Sequence, residues 1–483
     1  MARQSAPACI VWFRDDLRLS DHPALHAAVS AGAPVICLYV FDEISDGLRP
    51  LGGAARWWLA QSLRALQTSL DAIGAPLLLR RGAAAEVIGG LARQSGAGAV
   101  FWNEIAQAPD RMVADQVAAA LQEIGVAAQR LPGDLLAEPA RIRNAEGRGL
   151  RVFTPFWRRL LALVDPPKSL PAPGALCPGP DLAGDTLESW HLEPVHPDWA
   201  VGLRERWQPG ERSAQVRLKA FLEGGVAGYA DDRDRPDREG TSGLSPHLRF
   251  GEISPRQVWH TARFAAAERP ALSGGIDKFL SELGWREFCR HLLFDLPDLA
   301  TRNLRPAFDG FGWKHDAAAL AAWQRGQTGY PIVDAGMREL WHSGVMHNRV
   351  RMVAASFLVK HLLIDWREGE RWFWDTLVDA DPGSNPANWQ WVAGCGADAA
   401  PYFRVFNPVL QGEKFDPDGA YVRRWVPELA ALPPGLIHHP WNATPLELRS
   451  AGIALGETYP QPIVDHKRGR ERALAAYAKV RSA

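Results

Sequence analysis

Two stretches of this chain place chemistry-bearing side chains at helical spacing. In "IDKFLSELGWREFCRHLLF", residues 276–294, Glu282, Trp285 and Arg286 fall at i, i+3 and i+4 and so share one helix face. In "MHNRVRMVAASFLVKHLLIDW", residues 346–366, Asn348, Arg351 and Met352 do the same. A polar and soft face inside apolar sequence suits either a buried reactive site or a pair of structural salt bridges, because both occupy helix faces. A third stretch, "ERWFWDTLVDADPGSNPANWQW", residues 370–391, sets Trp372, Trp374, Trp389 and Trp391 around Asp375, Asp379, Asp381 and Asn385. One buried tryptophan is ordinary packing. A cluster of four, in a chain with 20 tryptophans against 7 tyrosines and 18 phenylalanines, points toward aromatic chemistry or stacking.

Residues 229–251, "YADDRDRPDREGTSGLSPHLRFG", hold eight charged side chains followed by Thr241, Gly243 and Ser245 ahead of an apolar stretch. Hydroxyls and a glycine leading into a helix can cradle a phosphate on backbone N–H groups, and the same pattern also makes a capped surface turn. Arg233, Arg349, Arg404 and Lys414 are suited to nucleic-acid phosphates or to solvated faces. The formal charge of -1 gives no global attraction for nucleic acid, so such contact would need a local basic surface. Cys9, Cys37, Cys177, Cys289 and Cys395 lie far apart, without the close pair of a zinc or redox motif, and no metal is expected. They suit a reducing compartment. The N-terminal "MARQSAPACIVWFRDD" reads as neither signal peptide nor membrane span, so the expectation is a cytoplasmic monomer away from membranes.

The elements that must position these residues follow from periodicity. With 483 residues, 47% of them hydrophobic, the chain can fill two cores. Apolar runs at 8–13, 34–41, 76–80, 99–102 and 126–131 predict strands, and amphipathic stretches at 22–31, 53–73, 83–95 and 111–124 predict helices. This alternation predicts a five-stranded parallel, Rossmann-like α/β domain over 1–133. The turn after its first strand, "RDDLRLSDHPAL", carries no glycine fingerprint for a dinucleotide. A proline-rich linker over 134–207 separates it from an all-α region over 208–483, with helices expected at 211–224, 254–267, 275–294, 316–325, 331–343, 346–363 and 366–378.

Taken together, "VWFRDDLRLSDHPAL", "GTSGLSPHLRFG", "ELGWREF", "GQTGYPIVDAGMREL", "MHNRVRM", "LLIDWREGE" and "YFRVFNP" resemble, in order and nearly end to end, the motifs of the photolyase and cryptochrome flavoprotein family. The resemblance is closest to bacterial class I-like cyclobutane pyrimidine dimer photolyases. It implies non-covalent, reduced FAD in the helical domain. By position, Tyr229, Thr241, Ser242, Gly243, Leu244 and Ser245 would hold the phosphates and ribityl chain, with Arg286, Asn348, Arg351, Asp379, Asp381 and Asn385 around flavin and adenine. Arg351 and Asp379 would pair behind the ring, and the Asn385 side chain would face the flavin N5. Trp389, Trp366 and Trp313 match the family's electron relay, while Trp285 and Trp391 match the walls of its substrate pocket. Trp372 and Trp374 have no such match and are assigned to packing.

For the substrate, the resemblance implies UV-damaged DNA contacted by Arg233, Arg349, Arg404 and Lys414. Glu282, Asn348 and Met352 match the cyclobutane-dimer set, whereas six-four photolyases have histidine at the two latter positions. A cryptochrome-like photoreceptor without repair activity is the alternative from another class, and the short stretch after residue 470 counts against its signalling extension. A DASH-type cryptochrome would have tyrosine at Trp391. The chain departs from the family pattern at Phe279, often tryptophan, and at Pro386, Ala387 and Asn388, where an asparagine and two glycines are expected. In "FWNEIAQAPDRM", residues 101–112, Pro109 and Asp110 replace the asparagine and glutamate of folate binders, so a second antenna chromophore would be of deazaflavin type rather than folate. Trp57, Asn103 and Glu104 are expected to serve packing and capping.

Overall fold

A computed structural model describes residues 7–133, 135–163, 165–399 and 403–482. The expected boundary residue Asp134, and Tyr402 of the "YFRVFNP" motif, lie outside the described residues. The chain divides into two compact units. One comprises 1–200, 207–227 and 242–297, and the other 201–206, 228–241 and 298–483, so the units cut across the divisions expected at 133/134 and 207/208.

In the first unit, β1 (Cys9–Phe13), β2 (Val35–Phe41), β3 (Leu77–Arg81), β4 (Ala99–Asn103) and β5 (Ala127–Leu131) form a parallel sheet of order β3-β2-β1-β4-β5. Its register pairs Cys9 with Val35 and with Ala99, Cys37 with Leu77, and Ala99 with Ala127. The unbroken apolar runs of β1 and β2 are buried throughout, as central parallel strands covered on both faces must be. β5 is an edge and exposes Gln129 and Arg130, the charged kind of edge that discourages pairing with another chain. The crossover helices are α1 (Pro23–Ser30), α2 (Gly53–Asp71), α3 (Ala84–Ser95) and α4 (Ala108–Glu123). At the carboxyl end of β1, where open α/β sheets commonly take ligands, side chains bond to one another instead. Arg14 pairs with Asp110 at 2.9 Å, and Asn103 donates to Asp16 at 2.7 Å and accepts from the Ala24 N–H at 2.9 Å.

The stretch expected as linker contains a further helix, α5 (Phe153–Leu163), whose Phe156 and Leu160 are buried. "FTPFWRRLL" carries the helical period, but its polar neighbours and the prolines that follow masked it. The same unit includes the helices Pro255–Glu268 and Ser273–Asp295. Ser254 and Gln257 close the first as a capping box. Buried Arg18 donates to the Gly251 carbonyl, and Arg256 to Asp21, tying the "RDDLRLSDHPAL" turn to that region.

The second unit is helical. Its core gathers Trp323, Val333, Val350, Phe357, Trp366, Phe373 and Trp389. Of the expected helices, 331–343 is observed as Pro331–Ser343, and 366–378 as Trp366–Thr376. The long helix expected over 346–363 is Asn348–Ser356 followed by one π-helical turn, Phe357–His361. The periodicity gave no warning of Ser384–Ala393, because its polar and apolar residues do not segregate onto faces. No helix among the described residues is long and apolar enough to cross a membrane.

Candidate functional site

In the second unit, the Asn348–Ser356 helix carries Asn348, Arg351 and Met352. Its first turn is fixed by His347, whose Nδ1 accepts the Arg349 N–H at 3.3 Å. Burial pushes the His347 imidazole down to about 4, so the ring is neutral and free to accept. Arg351 donates from Nε to the Met346 carbonyl at 2.7 Å and from Nη2 to both Asp379 oxygens, at 2.9 and 3.1 Å. The Asp379 side chain is only 5% exposed while that of Arg351 keeps 25%, so the carboxylate backs the guanidinium and the cation is the group presented outward. Asp381 accepts from the N–H groups of Gly383 and Ser384, at 2.8 and 2.7 Å, and thereby starts the Ser384–Ala393 helix that carries Asn385, Trp389 and Trp391.

The Asn385 amide donates to the Glu370 carboxylate at 2.8 Å and to its carbonyl at 3.0 Å. Sequence reasoning missed buried Glu370, the partner of Asn385, although it stands inside the quoted "LLIDWREGE" motif. Lys360, in the π-helical turn, lies beside the candidate residue Arg404. Its ammonium donates to the Arg404 carbonyl and sits 4.4 Å from the Phe403 ring centre, and burial pushes its pKa down to about 7. A lone cation within the apolar run "FLVKHLL" was the available signal.

The aromatic side chains are graded by burial. Trp366 is fully buried and its indole N–H donates to Asn303 at 2.9 Å, Trp389 is buried, and Trp313 is half-buried against the core. Trp389 meets Phe373 edge-on at 4.9 Å and Trp323 at 6.1 Å. Trp391 is partly buried, with its indole N–H on the Asp398 carbonyl at 3.0 Å. Trp374 is buried, and Trp372 stacks on Trp341, the rings 6.0 Å apart. Arg349, Arg404 and Lys414 line one open groove of about 490 Å³, and buried Tyr229 supports the adjoining Arg233, which lies over its ring at 5.7 Å.

In the first unit, Glu282 and Trp285 stand on the Ser273–Asp295 helix with Arg286 and Phe279. Lys278 approaches Glu282 at 3.1 Å one turn earlier, and Arg286 donates to buried Glu287 at 3.1 Å. Phe153 of α5 stacks on Trp285 with ring centres 3.8 Å apart and nearly parallel planes, a partner that the linker reading had hidden. Ser242, Gly243 and Leu244 lead into the short Ser245–Arg249 helix. Leu244 at its cap position supplies no side-chain acceptor, and Gly243 has φ +64°, a left-handed conformation that favours glycine. Thr241 and Ser245 are exposed. Asn103 bonds to Asp16 and to the Ala24 N–H, Glu104 lies 3.4 Å from Arg130, and Trp57 is buried.

A family model described as the FAD binding domain of DNA photolyase matches residues 279–479, and one described as DNA photolyase matches residues 9–174. An N-terminal parallel α/β sheet followed by helices of this kind is thus the plan of an FAD-binding flavoprotein. Over 100% of this chain and 99% of the relative, the sequence is 51% identical to the deoxyribodipyrimidine photo-lyase of Agrobacterium fabrum. It is 39% identical to cryptochrome-1 of Arabidopsis thaliana, over 99% of this chain and 71% of the relative. A solved structure described as a bacterial class III photolyase from Agrobacterium tumefaciens superposes with a TM-score of 0.96 at 49% identity, covering 100% of this chain and 99% of the other. The chain belongs to the photolyase and cryptochrome family. Where the motifs suggest a class I-like subgroup, this relative is described as class III.

Proposed function

We propose that this chain is a light-driven DNA repair enzyme, a deoxyribodipyrimidine photo-lyase that splits cyclobutane pyrimidine dimers in UV-damaged DNA. The observation that carries this reading is 51% identity along the whole chain to a protein of that name, joined to the Glu282, Asn348 and Met352 set. The residues present fit FAD. Arg351 is backed by a nearly buried carboxylate and offers its cation, and the turn at 242–245, with Gly243 at φ +64°, suits a diphosphate. When bound and reduced, FAD supplies on illumination the electron that opens the cyclobutane ring and takes it back afterwards.

The chain's own residues then bind and orient. By the resemblance, Tyr229, Thr241, Ser242, Gly243, Leu244 and Ser245 would hold the phosphate end of the cofactor. By the resemblance, Arg286, Asn348, Arg351, Asp379, Asp381 and Asn385 would face the flavin and adenine, and the Glu370 bond fixes how the Asn385 amide is turned. A lesion must leave the duplex to be reached, and for photolyases, as for other enzymes that flip a base, this costs a few kcal/mol, less where damage has already weakened pairing. Trp285 and Trp391 offset this by stacking, worth about 1–3 kcal/mol per base. Glu282 accepts from the imide edge of the pyrimidine and steadies charge in the preorganised manner of an electrostatic site, and Met352 packs softly against the dimer. Arg233, Arg349, Arg404 and Lys414 hold backbone phosphates. The protein acts in the cytoplasm as a monomer, and any second antenna chromophore would be of deazaflavin type rather than folate, which extraction of the purified protein tests.

The test is repair by purified, FAD-reduced protein of oligonucleotides bearing either a cyclobutane dimer or a six-four product, under blue light and in darkness. Light-dependent recovery of the cyclobutane substrate alone is expected. Recovery of neither, with flavin bound and reduced, would put a photoreceptor in place of the enzyme.

A further inference from the structure

The groove that carries three of the four expected phosphate-binding cations also carries acids. Asp231 and Asp234 line it together with Arg349, Arg404, Gln411 and Lys414. Each carboxylate there cancels part of the field that draws a polyanion in. Asp234 does more than dilute the charge. Its Oδ2 lies 2.6 Å from Arg349 Nη2, a charge-assisted hydrogen bond, and its Oδ1 lies 3.9 Å from Arg233 Nε. Arg349 is steadied over the Phe415 ring at 4.4 Å, and Lys414 approaches the same ring at 5.0 Å. The Arg349 and Asp234 side chains keep 21% and 33% of their surface exposed, so an incoming group can reach the pair without opening the core.

A carboxylate and a phosphate offer a guanidinium the same two-oxygen face. We propose that Asp234 is an internal competitor for DNA phosphate, holding the Arg349 guanidinium in the free protein and giving it up to the backbone on binding. This rests on the DNA-repair reading above. The carboxylate then sets the absolute affinity for DNA and not the preference for damage, because phosphate contacts carry no information about the base.

The FAD-loaded protein is titrated in the dark with fluorescent duplexes, undamaged and dimer-bearing, over a range of salt. Because Arg349 reaches the backbone in both complexes, the slope of log K against log salt is expected to stay the same, and removing the competitor raises affinity by the cost of breaking an exposed ion pair, up to about fivefold. Asp234→Asn is expected to show that gain with both duplexes, and in an Arg349→Gln background to keep only a smaller field gain of the size Asp231→Asn gives. Asp231→Asn, in the same groove, is expected to give a smaller gain that survives Arg349→Gln, as a pure field effect does. FAD absorbance reports folding, and Asp234→Ser serves as a second variant with the same expected gain should Asp234→Asn lose the cofactor. Unchanged or weaker binding by the Asp234 variants, or an equal gain with and without Arg349, would overturn the competitor role. Failure of the wild-type protein to bind either duplex or to repair in light would remove the DNA reading itself.

Discussion

At the scale of single residues, the tryptophans of the 370–391 stretch divide by what surrounds them. Trp374 is packed, and Trp372 lies flat on an exposed neighbour, Trp341. Trp389 is buried among Phe373 and Trp323, and Trp366 and half-buried Trp313 complete the proposed relay toward solvent. Replacing Trp389 by phenylalanine keeps most of the buried area, so the fold should stand while the easily oxidised indole is lost. Trp389→Phe is expected to slow photoreduction of bound flavin at least tenfold, as read by absorbance under blue light, and to leave repair intact once flavin is reduced chemically (a tenfold rate is about 1.4 kcal/mol of barrier). Photoreduction at the wild-type rate would assign the first step of the relay to another ring.

Between elements, close approach depends on glycine. A Cβ at Gly369 would lie 2.1 Å from Cη2 of Trp389, and one at Gly284 would lie 2.5 Å from the Trp157 ring. The first contact is where the Trp366–Thr376 helix meets the Ser384–Ala393 helix. Because Trp389 is enclosed, it cannot swing aside as a flexible surface chain would. Gly369→Ala is therefore expected to destabilise by about 1–3 kcal/mol through overpacking, less the few tenths to one kcal/mol that alanine gains in a helix. A lower urea midpoint together with altered flavin photoreduction would mark displacement of Trp389, whereas an unchanged midpoint would show that the helices separate without cost. The Phe153 to Trp285 stack is a comparable contact in the first unit, made by a helix inside what reads as linker.

For the whole molecule, buried histidines set the response to acid. Burial pushes His291 and His347 down to about 4 and His361 to about 3. An unfolded histidine titrates near ~6.5, so between that pH and about 4 the unfolded chain binds more protons and acid favours it. The stability these sites contribute is complete above about pH 6.5 and is lost progressively as pH falls toward 4. Asp416 acts in the opposite sense, because burial raises it to about 6 and its folded form takes up a proton first, and burial raises Asp15, Glu211, Asp334 and Glu339 in the same direction, while His438 and His466, lowered by burial, join the other histidines. The urea midpoint is expected to fall as the pH is lowered from about 7 to about 5, across the upper part of the histidine window. A flat or rising profile would mean that the raised carboxylates offset the histidines over this range.

Strand and helix placement, the parallel sheet and the helical second half were legible in the chain because periodicity and strand-helix alternation are local properties of sequence. So were the residue types of the candidate site, since Glu282, Asn348, Met352, Arg351 and Asp379 stand in motifs that can be read one at a time. What required tertiary structure is which distant groups meet. Asp234 reaches Arg349, Asn385 reaches Glu370, and Lys360 reaches the Arg404 carbonyl, and no periodicity relates the members of these pairs. The reason is physical: helix and strand spacing fixes the direction of a side chain relative to its own element, whereas the packing of several elements decides what stands opposite it.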